Sequence, residues 1–162
     1  MRRGTPSTRE PEDVTNRMEK APVVERITFH GHRMIRSVHR KTIEVTTDEH
    51  LTENGDCVIG VGANRGCADL DDEVKSALRR DHARVRVMIS TGGESFELMA
   101  EGDSGLELSH PGDIVIRRSR FISDRTLAVG ASAAAIDIPR SIVLTLKNPL
   151  AVGLLEIEVE RV

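Results

Sequence analysis

Tryptophan and tyrosine are absent, and phenylalanine occurs only at Phe29, Phe96 and Phe121. That removes most of the stacking surface with which single-strand RNA or DNA binders hold bases, so an aromatic base-reading platform is not expected. Cysteine is scarce: Cys57 and Cys67 are the only two. No secretory signal precedes them and their spacing is not that of a Cys-x-x-Cys knuckle, so both are read as reduced thiols of a cytoplasmic protein. No apolar run approaches the ~20 residues that a bilayer crossing needs, and no membrane association is expected. Lysine is confined to Lys20, Lys41, Lys75 and Lys147, so the basic residues are mostly arginine, the side chain suited to two-pronged recognition of carboxylate or phosphate. A net charge of -3 and a pI of about 6.1 leave no whole-surface basic footprint for duplex nucleic acid. A local basic patch stays open.

What is present is a soluble, one-core composition: 162 residues, 38% hydrophobic and 30% charged, the size of one domain with some tail. Residues 1–22 are polar, carry Pro6, Pro11 and Pro22, and lack apolar periodicity, so a disordered or loosely ordered tail is expected there and a single domain over 23–162. Alternation predicts a strand with Ile27 and Phe29 inward, and a second over Lys41 to Thr47 with Ile43 and Val45 inward and Thr42, Glu44 and Thr46 outward. Cys57 to Ala63 suits a short buried strand. Leu70, Val74 and Leu78, with Asp69 or Asp71 as N-cap and Arg79 and Arg80 in the last turn, predict a helix. Gly92-Gly93 predicts a hairpin pairing Val85 with Ala100, Val87 with Leu98, Ile89 with Phe96 and Arg84 with Glu101. Ile114 to Arg117 reads as a strand. The alanine-rich stretch after Asp124, from Arg125 to about Asp137, predicts a second helix ended by Pro139. Ser141 to Leu146 and Leu154 to Val162 read as closing strands. The sum is an α+β domain of mostly antiparallel strands with two helices; no internal repeat is read.

Four constellations carry chemistry. In an extended segment the i, i+2 spacing of His30-Gly31-His32 puts both imidazoles on one face, a pair that ligates divalent transition metals; the competing reading is polar edge residues. Gly55-Asp56-Cys57 combines a turn, a carboxylate and a thiol, though a cysteine opening an apolar strand is usually a small buried hydrophobe. His110-Pro111-Gly112-Asp113 is first a tight turn, with His110 and Asp113 available as an acid and base pair. Arg117, Arg118, Arg120 and Arg125 form the densest positive stretch, and Arg125 at the start of the expected second helix suits an anion. Arg36 and Arg40 join if the first His-rich loop folds over, and Thr126 adds a hydroxyl. The series Gly60-Val61-Gly62 misses the dinucleotide-loop spacing and is set aside.

These residues also carry a family likeness. His30-Gly31-His32, Ile35-Arg36, His39-Arg40, Thr42, Glu44, Thr46, Leu51-Thr52, Gly55-Asp56-Cys57 and Ile59-Gly60-Val61 are followed by His110-Pro111-Gly112-Asp113-Ile114-Val115-Ile116-Arg117-Arg118-Ser119, Phe121, Arg125-Thr126-Leu127-Ala128, Ala134-Ala135 and Arg140. From roughly Ile27 to Arg140 the chain resembles the archaeal family termed domain of unknown function 371. Arg33-Met34 stands where that pattern has Pro-Asn, and Ser132-Ala133 where it has acidic and basic residues, so roles of those side chains do not transfer. The resemblance implies an archaeal cytoplasmic protein with an α+β fold and no particular reaction. The leading expectation is a pocket for an anionic, phosphorylated small molecule, with Arg117, Arg125, Arg36, Arg40 and Thr126 as ligand-binding residues. Its enzymatic version has His32, His110 and Asp113 as catalytic residues, with His30 and His32 holding a divalent transition metal; turnover itself is left open. The alternatives are an RNA-associated module or a structural subunit of a complex, and a homo-oligomer is left open.

Overall fold

Alternation of apolar and polar residues sets the strands. The computed structural model describes residues 21–52 and 54–161, so the expected tail over 1–22 lies outside the described residues apart from Ala21 and Pro22. Strand β1 (Val23–His30) turns Ile27 and Phe29 inward. Helix α1 (Asp72–Leu78) buries Val74 and Leu78, with Asp71 at its N-cap position. Strands β4 (Arg84–Thr91) and β5 (Glu94–Glu101) form the expected hairpin in the expected register. Gly92 and Gly93 close it at φ 55° and 82°, the left-handed pair that a type I′ turn requires.

Two expectations fail between residues 124 and 146. The segment read as an alanine-rich helix holds strand β7 (Thr126–Ala128) and a 3-10 turn at Ala135–Asp137. Alanine's helix propensity is a weak prior. Here it yields to parallel pairing of β7 with β6 (Asp113–Arg117), which leaves Thr126, Leu127 and Ala128 fully buried. Asp137 then accepts the Ala134 amide and closes the tight turn. Conversely, the stretch read as a strand from Ser141 is helix α2 (Arg140–Leu146). Its β-branched residues suggested a sheet, but Ile142, Val143 and Leu146 form one buried helical face while Leu144 stays exposed.

The remaining strands are β2 (Thr42–Thr46), β3 (Val58–Gly60) and β8 (Val152–Val159). One sheet runs β1-β8-β4-β5 and the other β3-β2-β6-β7. Bridges His30–Val61 and Glu101–Val129 join their edges, so the eight strands close round a core of Ile27, Ile43, Ile59, Val87, Ile116 and Ile157.

An internal repeat, contrary to the sequence reading, organises the whole. Residues 23–46 correspond to 94–117 and residues 58–91 to 126–159. Thus β1, β2, β3, α1 and β4 match β5, β6, β7, α2 and β8. The correspondence extends to single hydrogen bonds. His39 Nδ1 accepts the amides of Lys41 and Thr42 at 3.1 and 3.2 Å, and His110 Nδ1 accepts those of Gly112 and Asp113 at 3.0 and 2.8 Å. Asn64 accepts the Thr28 amide as Ser132 accepts that of Met99. Ser37 and Leu108 share a positive φ of 54° and 50°. The halves interlock, since β2 pairs with β6 and β4 with β8 across a pseudo-twofold axis.

Candidate functional site

Because Ile43 and Val45 face the core, Thr42, Glu44 and Thr46 must line the other face of β2. Pairing sets them opposite Arg117, Val115 and Asp113 of β6, so Glu44 lies at the centre of the pair, beside the pseudo-twofold axis. Flanking strands bring Cys57 and Arg125 to the same face. Residues 47–52 and 54–57 cross it and leave a cleft of about 360 Å³ whose lining includes Glu44, Thr46, His50, Cys57, Asp113 and Arg125.

Arg125 Nη1 donates to Asp113 Oδ2 at 2.9 Å and lies 3.6 Å from Glu44 Oε1. Thr46 Oγ1 donates to Asp113 Oδ1 at 2.8 Å, and the Cys57 thiol donates to Glu44 Oε1 at 3.4 Å. Further along the face, Arg117 donates to the Thr126 and Ser123 hydroxyls at 2.9 and 3.2 Å, with its guanidinium 5.0 Å from the Phe121 ring centroid. Burial raises the Glu44 carboxyl above its ordinary pKa; the Asp113 charge adds to this, and Arg125 and the Cys57 thiol offset only part. Burial, then the Glu44 charge, pushes the Cys57 thiol up to about 11. A thiol so held is a poor nucleophile at neutral pH. Burial, followed by the Arg125 charge, lowers Arg117. For Arg125 burial acts in the lowering direction, but the Asp113 hydrogen bond and both carboxylate charges leave it raised.

Of the residues singled out from sequence, Asp113 and Arg125 line this cleft; His110 lines a neighbouring hollow that shares Asp113, and Arg117 and Thr126 pair with each other further along the face. His110 Nε2 is 3.8 Å from Asp113 Oδ2. Its other nitrogen ties the turn as His39 does in the first half, which gives both imidazoles a structural task. Arg125 sits at no helix start, so the anion argument from a helix N-terminus does not apply to it; the carboxylates position it instead. Arg36 pairs with Asp56 at 3.2 Å, next to Cys57, and Arg40 is exposed with no ion pair among the described residues. Arg118 turns away to Asp137.

His30 and His32 do not share a strand face, because β1 ends at His30. Gly31 passes so close to α2 that a Cβ there would lie 2.2 Å from the Leu146 and Asn148 carbonyl oxygens. The chain then turns, with His32 donating its amide to Leu146 and taking the Met34 amide on Nδ1. His30 Nε2 meets Glu49 at 2.7 Å. Among the described residues no group of three or more His, Cys, Asp or Glu side chains is placed to hold a metal ion. The residue that sequence reading missed is Glu44, taken as one outward strand position among several. Its signal was there in the alternation, but the loop that buries it is a tertiary feature.

Comparison with known proteins finds relatives by sequence. The chain is 38% identical over 118 residues to the uncharacterized protein MJ0206 of Methanocaldococcus jannaschii, covering 73% of this chain and 87% of that protein. A family profile described as "Domain of unknown function (DUF371)" matches residues 27–160. That span holds both halves of the barrel and every side chain of the cleft, and the chain belongs to the DUF371 family.

Proposed function

We propose that this is a cytoplasmic protein that binds a small anionic ligand, phosphorylated in its expected form, in the cleft over β2 and β6. Arg125 is the principal donor and Arg117 a second positive charge behind it. One observation carries the reading. Of the Arg125 guanidinium nitrogens only Nη1 is engaged among the described residues, so Asp113 and Glu44 hold one corner of the fork and leave Nε and Nη2 to donate as a pair. Arg117 supports it, since its own partners are hydroxyls and no carboxylate among the described residues pairs with it. Asp113 is the positioning residue. The two free thiols fit a reducing compartment, and among the described residues no helix is long and apolar enough to cross a membrane.

Calorimetric titration with inorganic phosphate and pyrophosphate tests this. Losing a charge-assisted pair of hydrogen bonds weakens binding by about 10- to 100-fold, so Arg125→Gln is expected to bind that much more weakly, Asp113→Asn less severely, and His32→Ala as the native protein does. Equal affinity in native protein and Arg125→Gln overturns the reading.

A further inference from the structure

The anion site leaves one group unexplained. Glu44 is a carboxyl with only 11% of its side chain exposed, set on a wall that also carries Asp113. Its Oε1 takes the Cys57 thiol and the edge of Arg125, whereas no N–H or O–H donor meets Oε2 among the described residues, Glu44 lines the cleft, and the Asp113 carboxyl beside it can hydrogen-bond to Glu44 only through a shared proton. Asp113 differs: Thr46 and Arg125 satisfy both of its oxygens. The Asp113 charge is therefore compensated by donors on both oxygens, and Glu44 is the member whose charge has too little compensation. Two carboxyls side by side with one guanidinium hold one proton between them more readily than none. The second half gives a control inside the molecule. Val115 is the counterpart of Glu44 and Arg125 that of Cys57, so neither charged group is required by the barrel itself.

Resting on the anion-site reading, we propose that Glu44 is the proton-exchanging residue of this cleft: the Glu44–Asp113 pair stores one proton on Glu44 Oε2 and passes it to a ligand whose anionic group lies on Arg125. In that step the Oε2–H bond breaks and leaves its electron pair on Glu44, an O–H bond forms on the ligand, and the reverse step restores the pair. The chemical class is general acid and base work on a small oxyanion-bearing substrate. The groups facing Glu44 are Thr42 and Thr46 on β2, Asp113 and Arg117 on β6, Arg125 before β7, Cys57 before β3, and Asp48 and His50 from the crossing loop. Counted with formal charges, Arg117 and Arg125 are balanced by Asp113 and Asp48 when Glu44 is neutral, and one negative charge is left over when it ionises. Anion binding and proton retention at Glu44 must then reinforce each other.

The probe is sulfate, which does not titrate near neutral pH, so protons exchanged on binding come from the protein. Two measurements on the full chain separate the proposal from the reading beneath it. In ligand-free protein, infrared difference titration is expected to show a protonated carboxyl band above the ordinary Glu range that Glu44→Gln lacks; no such band overturns Glu44 as the proton store whatever sulfate does. Calorimetry at a pH where that band is only partly present, in buffers of different ionisation enthalpy, is expected to show proton uptake when the native protein binds sulfate, and binding without uptake in Glu44→Gln. Equal uptake in both proteins overturns the proposal and leaves the anion site standing. Absence of sulfate binding in the native protein overturns the anion reading and the transfer together.

Discussion

At the scale of single residues, Glu44 couples stability to pH. Its folded carboxyl is raised by burial and by Asp113, so between the ordinary glutamate range and the raised value the folded state binds more protons than the unfolded one. Stability from this group is fully present at lower pH and is lost as pH rises through that window. Glu44→Gln removes the dependence while keeping the shape. The variant is therefore expected to gain on the native protein once pH passes above the window, and to gain nothing more as pH rises further. Denaturant midpoints measured from pH 4 to pH 8 check it (about the span of ordinary Glu and His titration); a constant difference across the series contradicts the argument. The Cys57 thiol, pushed up by burial and by Glu44, titrates too high to share the window.

Among elements, the two halves solve one packing problem in two ways. In the first, Phe29 of β1 lies over Gly60 of β3 and Gly153 of β8, where an added Cβ would come within 1.9 and 2.3 Å of its ring. In the second, the matching positions are Ala100, Ala128 and Val85: the ring has shrunk to a methyl and the glycines have grown. Volume is conserved while its owner changes, as close packing demands. Phe29→Ala is expected to cost about 3–5 kcal/mol from the void it leaves. Adding Gly60→Ala, which clashes in the native background, should recover part of that loss and reproduce the arrangement of the second half. Chemical denaturation of both single variants and the double variant reads the coupling; strict additivity would contradict the shared-volume account.

For the whole molecule, the pseudo-twofold axis relates the Gly92-Gly93 turn to the gap between the end of β8 and the start of β1. That gap is narrow: Arg161 Nε donates to the Ala21 carbonyl at 2.9 Å. Strand ends that lie this close at the surface tolerate a new connection between them. A chain opened between Gly92 and Gly93, with Val162 joined to Met1 and nothing deleted, is expected to fold to the same barrel and bind sulfate as the native order does. Circular dichroism, a cooperative thermal transition and calorimetry are the checks; a permutant that folds but does not bind would tie the cleft to chain order rather than to the barrel. Either half expressed alone is expected to lack a core, since each sheet takes strands from both.

Local pattern was enough for the β4–β5 register, α1 and the buried face of β1, because alternation, caps and a Gly-Gly turn act between neighbours in the chain. It also placed His110, Asp113, Arg117, Arg125 and Thr126 among the candidate residues, since a turn and a dense run of arginine are visible in one dimension. It failed at residues 124–146, where the composition favoured a helix and then a strand, and pairing with β6 and packing of Ile142, Val143 and Leu146 decided the reverse. The repeat was present in the chain as Val61-Gly62-Ala63 and Val129-Gly130-Ala131, each followed by an Asp at 69 or 137 and a helix face. So few shared residues stay inconspicuous until the matching hydrogen bonds are seen. Sequence alone determined the α+β class, the family and the arginine-rich composition. Only tertiary structure decided that Glu44 is buried beside Asp113 and that His30 and His32 part company, because burial and convergence depend on which loop crosses which face.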